Sequence, residues 1–192
     1  MSKDIIKEYG DVLHDPSSIV DRPLEVLSVG PKLDIALGGG VPEGSLFIMT
    51  GPEKVGKTVT ALTFCANAQK HYQRKVYYAN IEGRLKKRDL EGIADLSLDS
   101  EKMQIIGSTE GNILSAEKYL SIVDNIVHTQ PGSLAVVDSF SALSSEAELT
   151  GDLSDMQVMS VQKVLAKFCR RISNVLPINR VTVIGITHLM AN

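Results

Sequence analysis

The strongest constraint on this chain is residues 51–58, GPEKVGKT, set between an apolar run, Leu46–Thr50, and a helix-forming stretch, Lys57–His71. The spacing is G-x-x-x-x-G-K-T in a strand–loop–helix context. Gly51 and Gly56 let the backbone turn tightly, so that successive N–H groups point into one concavity. The helix starting near Lys57 adds its positive dipole end. Such a cradle suits the phosphates of a nucleotide. Gly51, Pro52, Glu53, Lys54, Val55, Gly56, Lys57, Thr58 and Val59 would enclose them. Lys57 can reach the β- and γ-phosphates, and the Thr58 hydroxyl can ligate a Mg²⁺ that bridges them. The plain alternative is a glycine turn ahead of an amphipathic helix. Average composition gives the four fixed positions by chance in roughly one chain of this length in a few hundred, and the flanking strand and helix lower that further.

Around this loop the pattern alternates. Candidate strands are Leu46–Thr50, Lys75–Asn80, Met103–Ile106, Leu134–Asp138 and Val181–Ile186. Candidate helices are Lys57–His71, Lys86–Asp95, Ser115–His128 and Met156–Val175. The strands are continuous apolar runs, as expected when both faces are covered. The fold class expected is therefore α/β, a mostly parallel twisted sheet with helices on both faces. Chemistry in such sheets gathers at the carboxyl ends of the strands. Ahead of this region, residues 3–13 place Ile5, Ile6, Tyr9, Val12 and Leu13 at helical spacing, DPSS and Arg22-Pro23 break the chain, and Leu24–Val29 is a short apolar segment. Leu33–Leu37 reads as a short helix ended by three glycines. The domain reading is a small helix-plus-strand segment over 1–29 and an α/β core over 30–192.

Composition narrows the classes. The chain has 192 residues, 43% hydrophobic and 22% charged, enough for a self-sufficient core that buries about 70% of its unfolded surface. No apolar run approaches the ~20 residues of a membrane span, and MSKDIIKEYG is no secretory signal. Cys65 and Cys169 read as free thiols in a reducing cytoplasm. A net charge of −3 excludes a protein that grips nucleic acid by overall positive charge, though not one with a local basic loop.

Three further residues end strands. Asp138 closes LAVVD, and beside a phosphate loop such an acid holds Mg²⁺ through water. A capping aspartate is the simpler reading of VVDS alone. Glu82 follows the strand Lys75–Asn80 and could polarise an attacking water, or be an exposed loop glutamate. His188 ends the last strand and could contact a γ-phosphate, or be an ordinary strand-end histidine. No Cys/His cluster has structural-zinc spacing.

Together these residues resemble the RecA family of recombination ATPases, particularly its phage-encoded members. The resemblance rests on LSVGPKLDIALGGGVPEGSLFIMTGPEKVGKT (27–58), Glu82, LAVVDSFSAL (134–143) and ITHL (186–189). The segment S-x-G-x-x-L-D-x-A-L-G-G-G-x-P-x-G, Ser28 to Gly44, discriminates, because a generic phosphate-loop enzyme does not need it. The resemblance implies that Lys57 and Thr58 are phosphate-loop residues, Glu82 the catalytic base and Asp138 the Mg²⁺-ordering acid. It also implies that His188 stands where the family keeps a glutamine or histidine sensing the γ-phosphate. The implied activity is ATP hydrolysis with Mg²⁺ by a filament on single-stranded DNA that pairs it with homologous duplex. Glu146–Gln157 lies where the family has its first DNA-binding loop, with Met156, Val158 and Met159 able to insert between bases or to serve as core. Residues 1–29 match the family's protomer-docking helix and strand, so self-association into a filament or ring is expected, in the cytoplasm of a bacterium or phage-infected host.

Two departures qualify the likeness. Where the family offers an aspartate and a tyrosine to sandwich adenine, this chain has Lys86 and Asp89. The nearby run Arg84, Lys86, Lys87, Arg88 is its strongest basic cluster, a solvated helix face or a nucleotide or DNA contact. The family also continues past the His188 position into a second DNA loop and further strands, so this chain is expected to be a piece of a longer protein. Rival readings on the same fold are a hexameric helicase, a clock-type ATPase, or a non-catalytic accessory protein of a recombinase filament.

Overall fold

A computed structural model describes residues 3–17, 23–151 and 160–189. Helix α1 (Lys3–Tyr9) and a 3-10 turn (Gly10–Val12) realise the apolar spacing at the start of the chain. Ile5, Tyr9, Val12 and Leu13 remain exposed. Strand β1 (Val26–Leu27) lies antiparallel to β2 (Val41–Pro42), and helix α2 (Pro31–Ala36) joins them. The serine–aspartate spacing of that stretch has a physical cause. Ser28 donates its hydroxyl to Asp34 at 2.6 Å, and the backbone N–H groups of Val29 and Gly30 donate to the other carboxylate oxygen. One side chain thus staples the entry of α2. Gly40 is required too, because a Cβ there would lie 2.4 Å from the Leu27 carbonyl oxygen.

The core follows in regular alternation: β3 (Leu46–Gly51), α3 (Lys57–Tyr72), β4 (Val76–Asn80), α4 (Lys87–Glu91), β5 (Met103–Ile106), α5 (Ala116–Thr129) and β6 (Leu134–Asp138). Then come α6 (Glu146–Thr150), α7 (Ser160–Ser173), α8 (Leu176–Asn179) and β7 (Thr182–His188). The five core strands are all parallel, in the order β3-β7-β6-β4-β5. Their apolar residues divide by the pleat. Val76, Tyr78, Leu134, Val136, Ile184 and Ile186 face Leu62, Phe64 and Cys65 of α3. Ala79, Ala135, Val137, Val181 and Val183 pack with Tyr119, Leu120 and Val123 of α5, Phe168 and Ile172 of α7, and Leu176 of α8. This two-sided burial is why the strands read as unbroken apolar runs. Cys65 and Cys169 belong to these opposite clusters and are free thiols.

Several elements differ from their sequence expectation. The helix expected over Lys86–Asp95 is only the short α4, since Gly92 closes it and Asp95 turns the chain in a left-handed conformation. The stretch Glu146–Gln157, read as a loop, opens with α6, whose start is fixed by reciprocal hydrogen bonds between Ser145 and Glu148. Residues 152–157, together with Val158 and Met159, lie outside the described residues. The last strand runs to His188 rather than stopping at Ile186. Among the described residues no helix is long and apolar enough to cross a membrane.

Gly185 sits mid-strand in β7, where the Phe140 ring lies against one face of the sheet. A Cβ there would lie 2.0 Å from the Phe140 ring and 2.7 Å from Ile48 Cδ1. Gly185→Ala should destabilise the chain by about 1–3 kcal/mol through overpacking. Urea unfolding measures this, and an unchanged midpoint would refute it.

Candidate functional site

Strands β3, β7, β6 and β4 end on the same side of the sheet, so Gly51, His188, Asp138 and Asn80 come together. The glycine-rich loop leaves β3 there and enters α3 through Gly56, which adopts φ +91°. That conformation disfavours any side chain and turns the first N–H groups of α3 toward the loop's concavity. A cavity of about 280 Å³ lies over these strand ends, with Thr58, Glu82, Asp138 and His188 on its polar side and Val59, Leu62 and Leu85 on its apolar side. A groove of about 390 Å³ between α5 and α7 is lined by other residues.

Two hydrogen-bonded clusters meet in the smaller cavity. In the first, the Lys57 ammonium donates to the carbonyls of Gly51 at 2.7 Å and Pro52 at 2.6 Å, and lies 3.2 Å from His188 Nδ1. An ammonium only donates, so His188 Nδ1 accepts and Nε2 carries the proton. That Nε2 is 2.7 Å from Glu82 Oε1, which also accepts from Ser139 Oγ at 2.7 Å. Burial pushes the Glu82 carboxyl upward. The hydrogen bonds from Ser139 and His188 and the Arg84 charge outweigh it, holding Glu82 below the usual glutamate range.

In the second cluster, Asp138 Oδ2 accepts from Thr58 Oγ1 at 2.9 Å and from Tyr78 Oη at 2.6 Å. Burial and the neighbouring Asp138 charge push the Tyr78 phenol well above its ordinary pKa, so it stays a donor. The Asp138 carbonyl accepts from the N–H groups of Ile81 and Glu82, which ties the two clusters. Thr58 and Asp138 are hard oxygen donors suited to Mg²⁺, a cation that takes one or two protein ligands and completes its shell with phosphates and water. No group of three or more His, Cys, Asp or Glu that could hold a metal occurs among the described residues.

Lys57 and Thr58, at the start of α3, and the strand-end residues Glu82, Asp138 and His188 thus share one site, and Glu53 and Lys54 border it. Val55 and Val59 are exposed on or beside the loop. Sequence reasoning missed Tyr78 and the contact of Ser139 with Glu82. The signal for Tyr78 was a phenol in a strand expected to be covered on both faces, since a buried hydroxyl needs a partner. At the position where adenine stacking was in question, Asp89 Oδ2 accepts from the Lys86 N–H as a helix cap. Within the basic run, exposed Lys87 and Arg88 pair with Glu91 and Asp89, whereas Arg84 lines the cavity and pairs with Glu82.

A parallel β3-β7-β6-β4-β5 sheet covered on both faces, with a glycine-rich loop at the end of its first strand and a small antiparallel pair beside it, is a RecA-like α/β fold. The family model described as RecA N-terminal domain matches residues 3–191, and the chain belongs to this family. It is similar to Protein RecA of Streptomyces venezuelae, 35% identical over 170 residues, covering 88% of this chain and 43% of that protein. It is also similar to Protein RecA of Mesoplasma florum, at 32% over 192 residues, 97% of this chain and 54% of the relative. The DNA repair protein recA homolog 3, mitochondrial, of Arabidopsis thaliana is 30% identical over 187 residues, 94% of this chain and 40% of that protein. The chain therefore spans about half or less of the length of these relatives.

Proposed function

We propose that this chain is the nucleotide-hydrolysing core of a DNA recombination and repair protein, binding ATP with Mg²⁺. The observation that carries the reading is the convergence of Thr58, Glu82, Asp138 and His188 on one cavity beside the glycine-rich loop, with the Lys57 ammonium 3.2 Å from His188 Nδ1. Lys57 would leave the loop carbonyls for the β- and γ-phosphates. Loop N–H groups and the α3 N-terminus would bind the rest of the phosphate chain. Glu82, ionised and aimed by Ser139 and His188, would accept the proton of a water attacking the γ-phosphorus. Bound Mg²⁺ would neutralise charge developing on the bridging oxygens, held by Thr58 and, through water, by Asp138. His188, touching both Lys57 and Glu82, would register whether a γ-phosphate is present.

Single-stranded DNA is proposed to engage the region of Glu146–Gln157, and residues 1–29 to contact a neighbouring protomer in a filament, in the cytoplasm of a bacterium or phage-infected cell. The exposed apolar side of α1 supports the second assignment. The names of the relatives, Protein RecA and a DNA repair homologue, support the recombination setting.

Titration of a fluorescent ATP analogue tests the core of this reading. Lys57→Ala should weaken binding at least tenfold, since the charged contact with phosphate is lost; hydrogen bonds to charged groups contribute about 1.5–3 kcal/mol. Equal affinity in the two chains would overturn the phosphate assignment.

A further inference from the structure

We propose that Tyr78 is a positioning residue whose buried hydroxyl fixes the Asp138 carboxylate in the orientation that a nucleotide-bound Mg²⁺ requires. This rests on the reading of Thr58 and Asp138 as the metal side of the site.

Tyr78 is fully buried, in the apolar layer between α3 and the sheet. Its strand neighbours on the same face are Val76, in the same apolar layer, and Asn80, at the cavity; the layer around the ring asks only for an apolar side chain there. The hydroxyl is the added feature, and burying one without a partner is unfavourable. Its partner is Asp138. In the register of β4 on β6, Tyr78 stands opposite Val136 and Asn80 opposite Asp138. The ring therefore reaches one pleat toward the carboxyl ends and delivers its O–H to Asp138 Oδ2.

Thr58 donates to the same oxygen. Two O–H donors on Oδ2 leave Oδ1 for a metal-bound water. They also settle the division of labour at Thr58, whose O–H is committed to Asp138 while a lone pair stays open to a cation. Thr58 alone could not hold that arrangement, because Asp138 can turn about its side-chain bonds. Tyr78 can hold it, because its ring is locked by the core and leaves the hydroxyl little freedom. Partners that orient a metal-binding group in this way typically change metal affinity by 10–100-fold when removed.

The test compares the wild-type chain, Tyr78→Phe, Asp138→Asn and the double variant. Each is titrated with Mn²⁺ in the presence of ADP, following the free-ion electron paramagnetic resonance signal. ADP affinity in EDTA and the melting temperature are measured alongside. Tyr78→Phe should weaken Mn²⁺ binding about tenfold and leave ADP affinity in EDTA within twofold. In the Asp138→Asn background it should add little, since Tyr78 acts through that carboxylate. Wild-type Mn²⁺ affinity in Tyr78→Phe overturns the proposal. So does equal loss of ADP affinity in EDTA, full additivity in the double variant, or failure of Tyr78→Phe to fold, each of which marks the hydroxyl as merely structural. If Asp138→Asn itself leaves Mn²⁺ binding unchanged, the metal reading fails first and the proposal falls with it.

Discussion

Glu82→Gln should reduce ATP hydrolysis by about 10²–10⁴-fold, the usual contribution of a positioned general base, while ATP binds as before. The substitution is close to isosteric. The introduced amide would keep an oxygen to accept from Ser139 and His188, which lie 2.7 Å from Glu82 Oε1, so the cavity should keep its shape. What is lost is the ability to take a proton. Phosphate release under excess protein gives the rate, and titration of a fluorescent ATP analogue gives the affinity. A rate within a fewfold of wild type would remove Glu82 from the role of base. The pH profile follows from the same contacts. Hydrogen bonds from Ser139 and His188, with the Arg84 charge, depress the Glu82 pKa despite burial. Its base form therefore persists as pH falls through the ordinary glutamate value of about 4.3. The stabilisation drawn from these contacts is present above that value. It is lost only as pH falls further, through the lower pKa of the folded state.

The residues that point into the cavity were legible because each ends or follows an apolar run. Asp138 closes LAVVD, and Glu82 follows Val76–Asn80. Parallel strands with right-handed crossovers bring their carboxyl ends to one side, so a linear pattern already implied a shared location. His188 was legible as a strand-end residue, but its pairing with both Lys57 and Glu82 was not, because it spans 131 and 106 residues of chain. Strand β2 and helix α8 were invisible for a different reason. At two and four residues they are too short to show a period. They are held by contacts from outside themselves: β2 by β1, and α8 by Leu176 in the second core cluster. Tyr78 shows a third kind of loss. Its ring obeys the strand pattern, and only its hydroxyl, satisfied across to β6, departs from it.

The largest stability effect lies at the opposite end of the sheet, where spacing carries no signal at all. Arg74, 7% exposed, enters just before β4. Its guanidinium donates to the carboxylates of Glu25 and Glu43 and to the carbonyls of Gly132 and Arg180. Those partners precede β1, β3, β6 and β7, so one side chain ties together the entries of most of the strands and secures the N-terminal segment to the core. The Glu43 side chain is fully buried and also lies 3.5 Å from Arg180 Nε. Arg74→Met keeps much of the side-chain volume but leaves the buried Glu43 charge with only the more distant, partly exposed Arg180 as a cationic partner. Breaking a buried pair from one side costs about 3–5 kcal/mol, a large part of the stability of an ordinary domain. The expected result is a markedly lower urea midpoint, with nucleotide affinity unchanged under conditions where the chain is still folded, because the cluster is remote from the cavity. Adding Glu43→Gln to Arg74→Met should restore part of the loss by removing a buried charge that has lost its closest partner. If the double variant were less stable by the full sum of the single losses, the cluster would be a set of separate contacts, and the charge argument would fail.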